Sequence, residues 1–392
     1  SVQLLILFLD SRMVHRIAVF MGTRPEAIKM APVVRALQAT DGLEPIVVST
    51  GQHREMLQQV VDLFEIPVHF DLDVMTPDQT LAGLSARLMT KVDAFLAAEK
   101  PDFALVQGDT TTVLMAALAC FYRKIPVGHV EAGLRTGNMQ SPFPEEANRR
   151  LVTPLAALHF PPTEWSAGNL RKEGVAEESI FVTGNTVIDA LQLESARHEF
   201  AETQAEVDGF VQDSLGPAWR DFPYVLVTGH RRENFGGGFE QICSALCTLA
   251  KRFPDHRFIY PVHLNPHVRG PVTENLGNLP NVFLLKPMPY RPFVALMKHA
   301  AVVLTDSGGV QEEAPGLGKP VLVMRDTTER PEGLEAGTVR LVGAEEEKIV
   351  DGVTELLTNP VVYQAMATAH NPYGDGRASQ RIAAAVKAWF PS

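Results

Sequence analysis

Two acidic residues in the N-terminal half stand just past strand-like runs, and a third closes a proline-rigid loop that enters a helix. They are Asp109 in Gly108-Asp109-Thr110-Thr111-Thr112, Glu131 in His129-Val130-Glu131-Ala132-Gly133-Leu134-Arg135, and Glu145 in Ser141-Pro142-Phe143-Pro144-Glu145-Glu146-Ala147-Asn148-Arg149. A carboxylate beside a substrate can remove or return a proton, and like charges with partial burial raise its pKa toward a useful base. Each residue also has a local, structural reading. Asp109 would cap the next helix, Glu131 would pair with Arg135 at the surface, and Glu145 would pair with Arg149 one turn on. All three are expected at one sheet edge, and that convergence favours chemistry.

Groups suited to an anion occur in both halves. Gly22-Thr23-Arg24-Pro25-Glu26-Ala27-Ile28-Lys29 reads as a tight turn into a helix, with Thr23 and Glu26 at capping-box spacing and Pro25 in the first turn. Backbone N–H groups then point outward, and Arg24 and Lys29 add positive charge where a phosphate could rest. An ordinary capped helix with exposed charges is the alternative. Thr228-Gly229-His230-Arg231-Arg232-Glu233 sets a histidine and two arginines past a strand, a pattern for a phosphate or leaving-group contact.

The strongest single segment is Asp306-Ser307-Gly308-Gly309-Val310-Gln311-Glu312-Glu313. Two glycines behind a capping serine let a backbone approach a pyrophosphate at a helix start, and Glu313, nearly two turns on, can take two ribose hydroxyls. A tight turn followed by a solvated acidic helix is the plainer reading. Arg325-Asp326-Thr327-Thr328-Glu329-Arg330-Pro331-Glu332 adds polar groups after another strand end.

These segments need a scaffold that brings strand ends together. Short β-branched runs alternate with amphipathic stretches: Ile17–Met21, Glu44–Ser49, Phe103–Gln107 and Pro126–Val130 in a first series. A polar, acidic stretch from Glu194 to Asp213 shows no strand, and a second series follows with Tyr224–Thr228, Phe258–Pro261, Val282–Leu285, Val302–Thr305 and Pro320–Met324. Such alternation implies α/β architecture, a parallel sheet covered by helices in each of two Rossmann-like, doubly wound domains facing a cleft. Ligands in such sheets sit beyond the carboxyl ends of the strands, where the motifs fall.

The 392 residues, 45% hydrophobic and 21% charged, suffice for two cores of ordinary domain size. A formal net charge of −11 argues against a nucleic-acid binder, so an anionic ligand must be met by a local cationic pocket. No run approaches the ~18 apolar residues of a membrane helix, so no membrane partner is expected. Cys120, Cys243 and Cys247 lie in apolar helical patterns without C-x-x-C spacing, which reads as buried packing in a reducing, cytoplasmic compartment. The apolar stretch Val2–Leu9 lacks the flanks of a signal peptide, and Met13 reads as a natural start with residues 1–12 as an upstream extension.

Taken together, the segments closely resemble the non-hydrolysing UDP-N-acetylglucosamine 2-epimerase family of bacterial type. The matching strings include GTRPEAIKMAP from Gly22, GDTTT from Gly108, IPVGHVEAGLRTG from Ile125, PEEANR from Pro144, VTGHRRE from Val227, LTDSGGVQEEAP from Leu304 and RDTTERPE from Arg325. The resemblance runs from about Met13 to the C-terminus and implies a GT-B fold, commonly a homodimer. It implies an N-terminal domain over 13–186 completed by the last helix, 381–392, and a UDP-binding domain over 187–380, with a hinge near Asn185–Ala190.

By matching position, the resemblance makes Asp109, Glu131 and Glu145 catalytic, with His230 as an auxiliary proton or phosphate contact. Arg24, Ser307 and Gly308 would hold the pyrophosphate, Glu313 the ribose and Phe293 the uracil, while Lys29, Arg149, Gly309 and Arg330 complete the pocket. Met288 stands where some relatives carry glutamine, so a backbone contact is expected there. In some bacterial relatives a second UDP-GlcNAc binds beside the substrate as an activator. The matching positions are Gln52, His53, Arg231 and His263, and Asp78 replaces an arginine of certain relatives.

The implied partners are UDP-GlcNAc, UDP-ManNAc and UDP. The hydrogen at sugar C2 is not next to a carbonyl, so direct deprotonation lacks an electron sink; the resemblance implies elimination of UDP to 2-acetamidoglucal and re-addition from the other face, inverting C2. That chemistry moves no hydride and requires no metal, so neither NAD nor zinc is assigned. The rivals are a hydrolysing epimerase releasing ManNAc and UDP, a retaining glycosyltransferase, and a non-catalytic UDP-sugar binding protein.

Overall fold

The computed structural model describes residues 14–51, 54–76, 79–229, 231, 234, 236–262, 266–328 and 330–391. Twelve strands appear among them. The first six are β1 (His15–Met21), β2 (Leu43–Ser49), β3 (Phe70–Asp71), β4 (Phe103–Gln107), β5 (Val127–Val130) and β6 (Leu158–Phe160). The second six are β7 (Tyr224–Thr228), β8 (Arg257–Pro261), β9 (Val282–Leu285), β10 (Val302–Thr305), β11 (Val321–Val323) and β12 (Val339–Leu341). Each set forms one sheet, ordered β3-β2-β1-β4-β5-β6 and β12-β11-β10-β7-β8-β9, with every pairing parallel.

The chain clusters into two compact units. One comprises residues 1–161, 167–181 and 379–392; the other comprises 162–166 and 182–378. Residues 182–186, expected with the first domain, pack with the second. There the Asn185 backbone N–H donates to Tyr373 O at 2.7 Å. The tail packs with the first unit through stacking of Phe390 on His15 and an edge contact of Trp389 with Phe103.

Ile17 through Met21 are all at most 1% exposed, which is why β1 reads as an unbroken apolar run rather than an alternating one: both faces are covered. One face meets Phe95, Leu96, Val113, Ala116 and Cys120 from two helices, so truncating Phe20 to Ala would cost about 3–5 kcal/mol. Gly128 in β5 is a packing glycine, since a Cβ there would stand 2.7 Å from Leu105 and 2.9 Å from Phe160. The acidic stretch after Glu194 is helical, within Thr186–Arg197 and Ala201–Leu215.

Strand order reverses between β1 and β4 in the first sheet and between β7 and β10 in the second. The loops at the carboxyl ends of these four strands begin at Gly22, Gly108, Gly229 and Asp306. Each is therefore a switch-point loop, the place where an open parallel sheet leaves room for a ligand. Cys120 and Cys243 are buried, and burial pushes both thiols up to about 12, while Cys247 is half-buried. Among the described residues, no helix is long and apolar enough to cross a membrane.

Candidate functional site

In the first unit the helix Arg24–Gln38 starts directly beyond β1. The Glu26 carboxylate accepts from the backbone N–H groups of Gly22 at 2.8 Å and Thr23 at 2.6 Å, so those two N–H groups serve the protein rather than an outside anion. This narrows the expected anion cradle to what lies further along, with Arg24 half-buried at the first helical position. The other Glu26 oxygen accepts from the Thr110 hydroxyl at 2.6 Å, tying the β1 loop to the β4 loop. Burial raises the Glu26 pKa above the ordinary carboxylate value, against the opposing pull of these hydrogen bonds.

Thr110, not Asp109, caps the helix Thr111–Tyr122, accepting from Val113 N. Asp109 is thereby released toward Arg149, which reaches its Oδ2 at 2.9 and 2.6 Å. Asn148 holds the Asp109 carbonyl at 2.8 Å. Arg149 also meets Glu146 at 3.2 Å, so the local pairing with Glu145 is not the one that forms. Glu145 opens the helix Glu145–Val152 half-buried, whereas its neighbour Glu146 is fully buried and accepts from Thr136 N and Gly137 N at 3.0 and 3.2 Å.

Glu131 sits in the left-handed region at φ 63°, a conformation that costs a non-glycine residue on the order of 1 kcal/mol or more. The cause is β6: Phe160 O accepts from both Glu131 N and Ala132 N, at 3.0 and 3.3 Å. The turn delivers the Glu131 carboxylate to Lys29, whose ammonium donates to both oxygens at 2.7 and 2.6 Å, and to the buried amide of Gln107. Arg135 pairs instead with Glu173, so the Glu131–Arg135 alternative is not realised. Asp109 and Glu131 thus each face a cation within hydrogen-bond distance.

Beneath these loops His129 Nε2 lies 2.7 Å from Gly108 O. A carbonyl only accepts, so Nε2 carries the proton. Burial lowers the His129 pKa to about 4, and the same cause lowers that of His159, its partner across β5 and β6, to about 4.

The second unit holds the remaining candidates. Ser307 occupies the N-cap of the helix Gly308–Gly316, but its side chain makes no capping bond, which corrects the reading of a capping serine. Its N–H donates to Thr305 Oγ1 at 2.9 Å, leaving the turn shaped by β10 rather than by the hydroxyl. Arg330 lies against Gly308: a Cβ there would stand 2.7 Å from the Arg330 Nη1. Gly309 is next in the same helix, and a Cβ on it would meet Glu313 at 3.8 Å. Glu313 is buried and accepts from the Tyr290 hydroxyl at 2.7 Å. Tyr290 begins the helix Tyr290–His299, which carries half-buried Phe293 and follows buried Met288.

Asp306, fully buried, accepts from Arg231 N at 2.8 Å and from the Asn234 amide at 3.3 Å, joining the β10 loop to the β7 loop. Gln52, His53, Asp78, His230 and His263 lie outside the described residues. Sequence reasoning read Glu26 only as a helix cap, which it is, and overlooked Gln107, Glu146, Glu312 and Tyr290. The Glu145-Glu146 and Glu312-Glu313 doublets carried a signal, since adjacent helical residues point about 100° apart and two neighbouring acids therefore meet different surroundings.

The family described as UDP-N-acetylglucosamine 2-epimerase matches the chain over residues 35–387. The UDP-N-acetylglucosamine 2-epimerase of Escherichia coli strain K12 is 55% identical over 374 residues, covering 93% of this chain and 96% of the relative. A crystal structure of UDP-GlcNAc 2-epimerase from Neisseria meningitidis bound to UDP-GlcNAc superposes with a TM-score of 0.88 at 47% identity, covering 95% of this chain and 100% of the other. The glycotransferase of kitacinnamycin shares the fold alone, with a TM-score of 0.63 at 14% identity over 96% of this chain and 100% of the other. The two parallel six-stranded sheets are accordingly GT-B-like.

Proposed function

The chain belongs to the UDP-N-acetylglucosamine 2-epimerase family and is an isomerase, and we propose that it interconverts UDP-GlcNAc and UDP-ManNAc by eliminating and re-adding UDP. The observation that carries this reading is the pairing of two carboxylates on adjacent strand ends with two different cations, Asp109 with Arg149 and Glu131 with Lys29. Inversion at one carbon needs a proton removed from one face and returned to the other, and two independently held acid–base groups supply that.

The anomeric C–O bond breaks with its electron pair leaving on UDP. Developing positive charge at C1 acidifies the C2 hydrogen, a carboxylate takes that proton, and the C–H pair closes the C1–C2 double bond of 2-acetamidoglucal. A proton delivered to the opposite face of C2 and attack of the UDP oxygen on C1 complete the exchange. In this reading Arg24, Ser307, Gly308 and Arg330 stabilise the departing diphosphate, Glu313 holds the ribose, and the helix carrying Phe293 receives the uracil.

Incubating the protein with UDP-GlcNAc and following the mixture by NMR tests the reading. UDP-ManNAc should accumulate with UDP still attached. Free ManNAc and UDP in equal amounts would make it a hydrolysing enzyme instead, and an unchanged substrate would make it a binding protein. Arg24→Ala and Ser307→Ala should each weaken UDP itself in calorimetry, since diphosphate contacts do not depend on the sugar.

A further inference from the structure

Glu312 is 1% exposed and sits one residue before the acid read as the ribose contact. Its carboxylate has other partners than that of Glu313, which takes the Tyr290 hydroxyl. One oxygen accepts from Arg330 Nε at 2.5 Å and the other from the Asn185 amide at 2.9 Å. Arg330 is itself largely buried, and its guanidinium carbon and both terminal nitrogens lie within 2.7–3.2 Å of the position a Cβ on Gly308 would take. With Nε engaged, the flat guanidinium is laid over the glycine turn at the head of the helix Gly308–Gly316.

We infer that Glu312 is a positioning residue for the leaving group: it holds Arg330 across the Ser307–Gly308 turn so that the terminal guanidinium nitrogens meet the diphosphate. The inference rests on the proposed reading of that turn as the diphosphate site. Three facts converge on it. A buried carboxylate with two acceptors engaged fixes an arginine more tightly than solvent would, because a guanidinium donates in a rigid plane. Gly308 lacks the side chain that would push the guanidinium away. The second Glu312 oxygen is occupied by Asn185, so the carboxylate cannot rotate without losing a buried partner.

The chemistry of the side chain supplies the test. Arg330 and Asn185 donate to different oxygens of Glu312, so Glu312→Gln sets an NH2 donor against one of them, whereas Glu312→Asp keeps two acceptor oxygens on a shorter stem. UDP and uridine are titrated into the full-length protein by calorimetry or competition, for E312Q, E312D, R330A and the double variant E312Q/R330A. E312Q should weaken UDP by about 10-fold while leaving uridine within about 2-fold, and E312D should recover part of the loss. In the R330A background the further effect of E312Q on UDP should shrink to less than about 2-fold, the signature of a residue acting through its partner.

Equal losses of UDP and uridine, or additive losses in the double variant, would overturn the inference and leave Glu312 with a purely structural role. UDP affinity unchanged by E312Q while R330A weakens it would overturn the inference alone. UDP affinity unchanged by R330A would overturn the diphosphate reading and the inference with it. Should E312Q fail to fold, the same comparison of UDP with uridine on E312D decides the matter, an undiminished UDP affinity counting against the assignment.

Discussion

Lys29 Nζ donates to both carboxylate oxygens of Glu131, at 2.7 and 2.6 Å, across 102 residues of chain. The two side chains are only 13% and 7% exposed, so the pair is held largely out of water. Lys29 projects from the first helix of the unit and Glu131 from a left-handed turn at the end of β5. The contact therefore fixes the spacing of two strand-end loops as well as the charge between them.

Removing one partner of such a pair leaves the other charge largely buried without the counter-charge that faces it. Lys29→Met should cost about 3–5 kcal/mol of unfolding free energy in urea titrations, and Lys29→Met/Glu131→Gln should be more stable than Lys29→Met alone. Turnover should fall at least ~10²-fold in every one of these variants, because in the proposed mechanism both charges serve the reaction. A double variant no more stable than the single one would show that water reaches the pair freely.

Asp109→Asn separates catalysis from folding. Arg149 keeps Glu146 at 3.2 Å, so the arginine is not stranded when the Asp109 charge goes. Turnover should drop at least ~10²-fold with stability changed by no more than about 1 kcal/mol, read by NMR assay and thermal unfolding. A rate within a few-fold of the parent would reduce Asp109 to an anchor for Arg149.

His129 makes stability sensitive to mild acid. Its folded pKa is depressed by burial to about 4 from 6.5, so the unfolded chain takes up a proton first as pH falls. The contribution of the neutral ring is fully present above 6.5 and is lost between 6.5 and about 4, worth on the order of 3 kcal/mol in all. Urea titrations at steps from pH 7.5 to 4.5 should show this slope in the parent and a shallower one in His129→Gln, which can still donate to Gly108 O. Parallel slopes would mean the ring is protonated as readily in the folded protein as in the unfolded one.

The hydrogen at C2 of the sugar reports the mechanism directly. Product formed in D2O should carry deuterium at C2 and at no other carbon, because the returning proton comes from a group that exchanges with water. Product that keeps all of its original C2 hydrogen would remove the elimination mechanism.

Much of the architecture was legible locally. Runs such as Ile17–Met21 and Val302–Thr305 are apolar on both faces because parallel strands are covered on both sides, and the glycine and acid after each marks a strand end. β3, β6 and β12 escaped notice because runs of two or three residues show no period. They exist through neighbours, as where Val130 aligns with Phe160 and Val323 with Leu341. β6 then decides the turn that aims Glu131.

The residue types in order along the chain determined the two strand–helix series, the family resemblance and the loops in which chemistry would be found, since each of these is written in a few consecutive residues. Partnership was decided only by the tertiary structure. Glu131 had Arg135 close by in sequence and took Lys29; Arg149 had Glu145 one turn away and took Asp109, 40 residues distant; Ser307 stood at a cap and did not cap. Sheet order and strand register set which loops become neighbours. A charge then joins an opposite charge that the backbone brings within hydrogen-bond distance, which spacing along the chain does not encode for partners 40 or 102 residues apart.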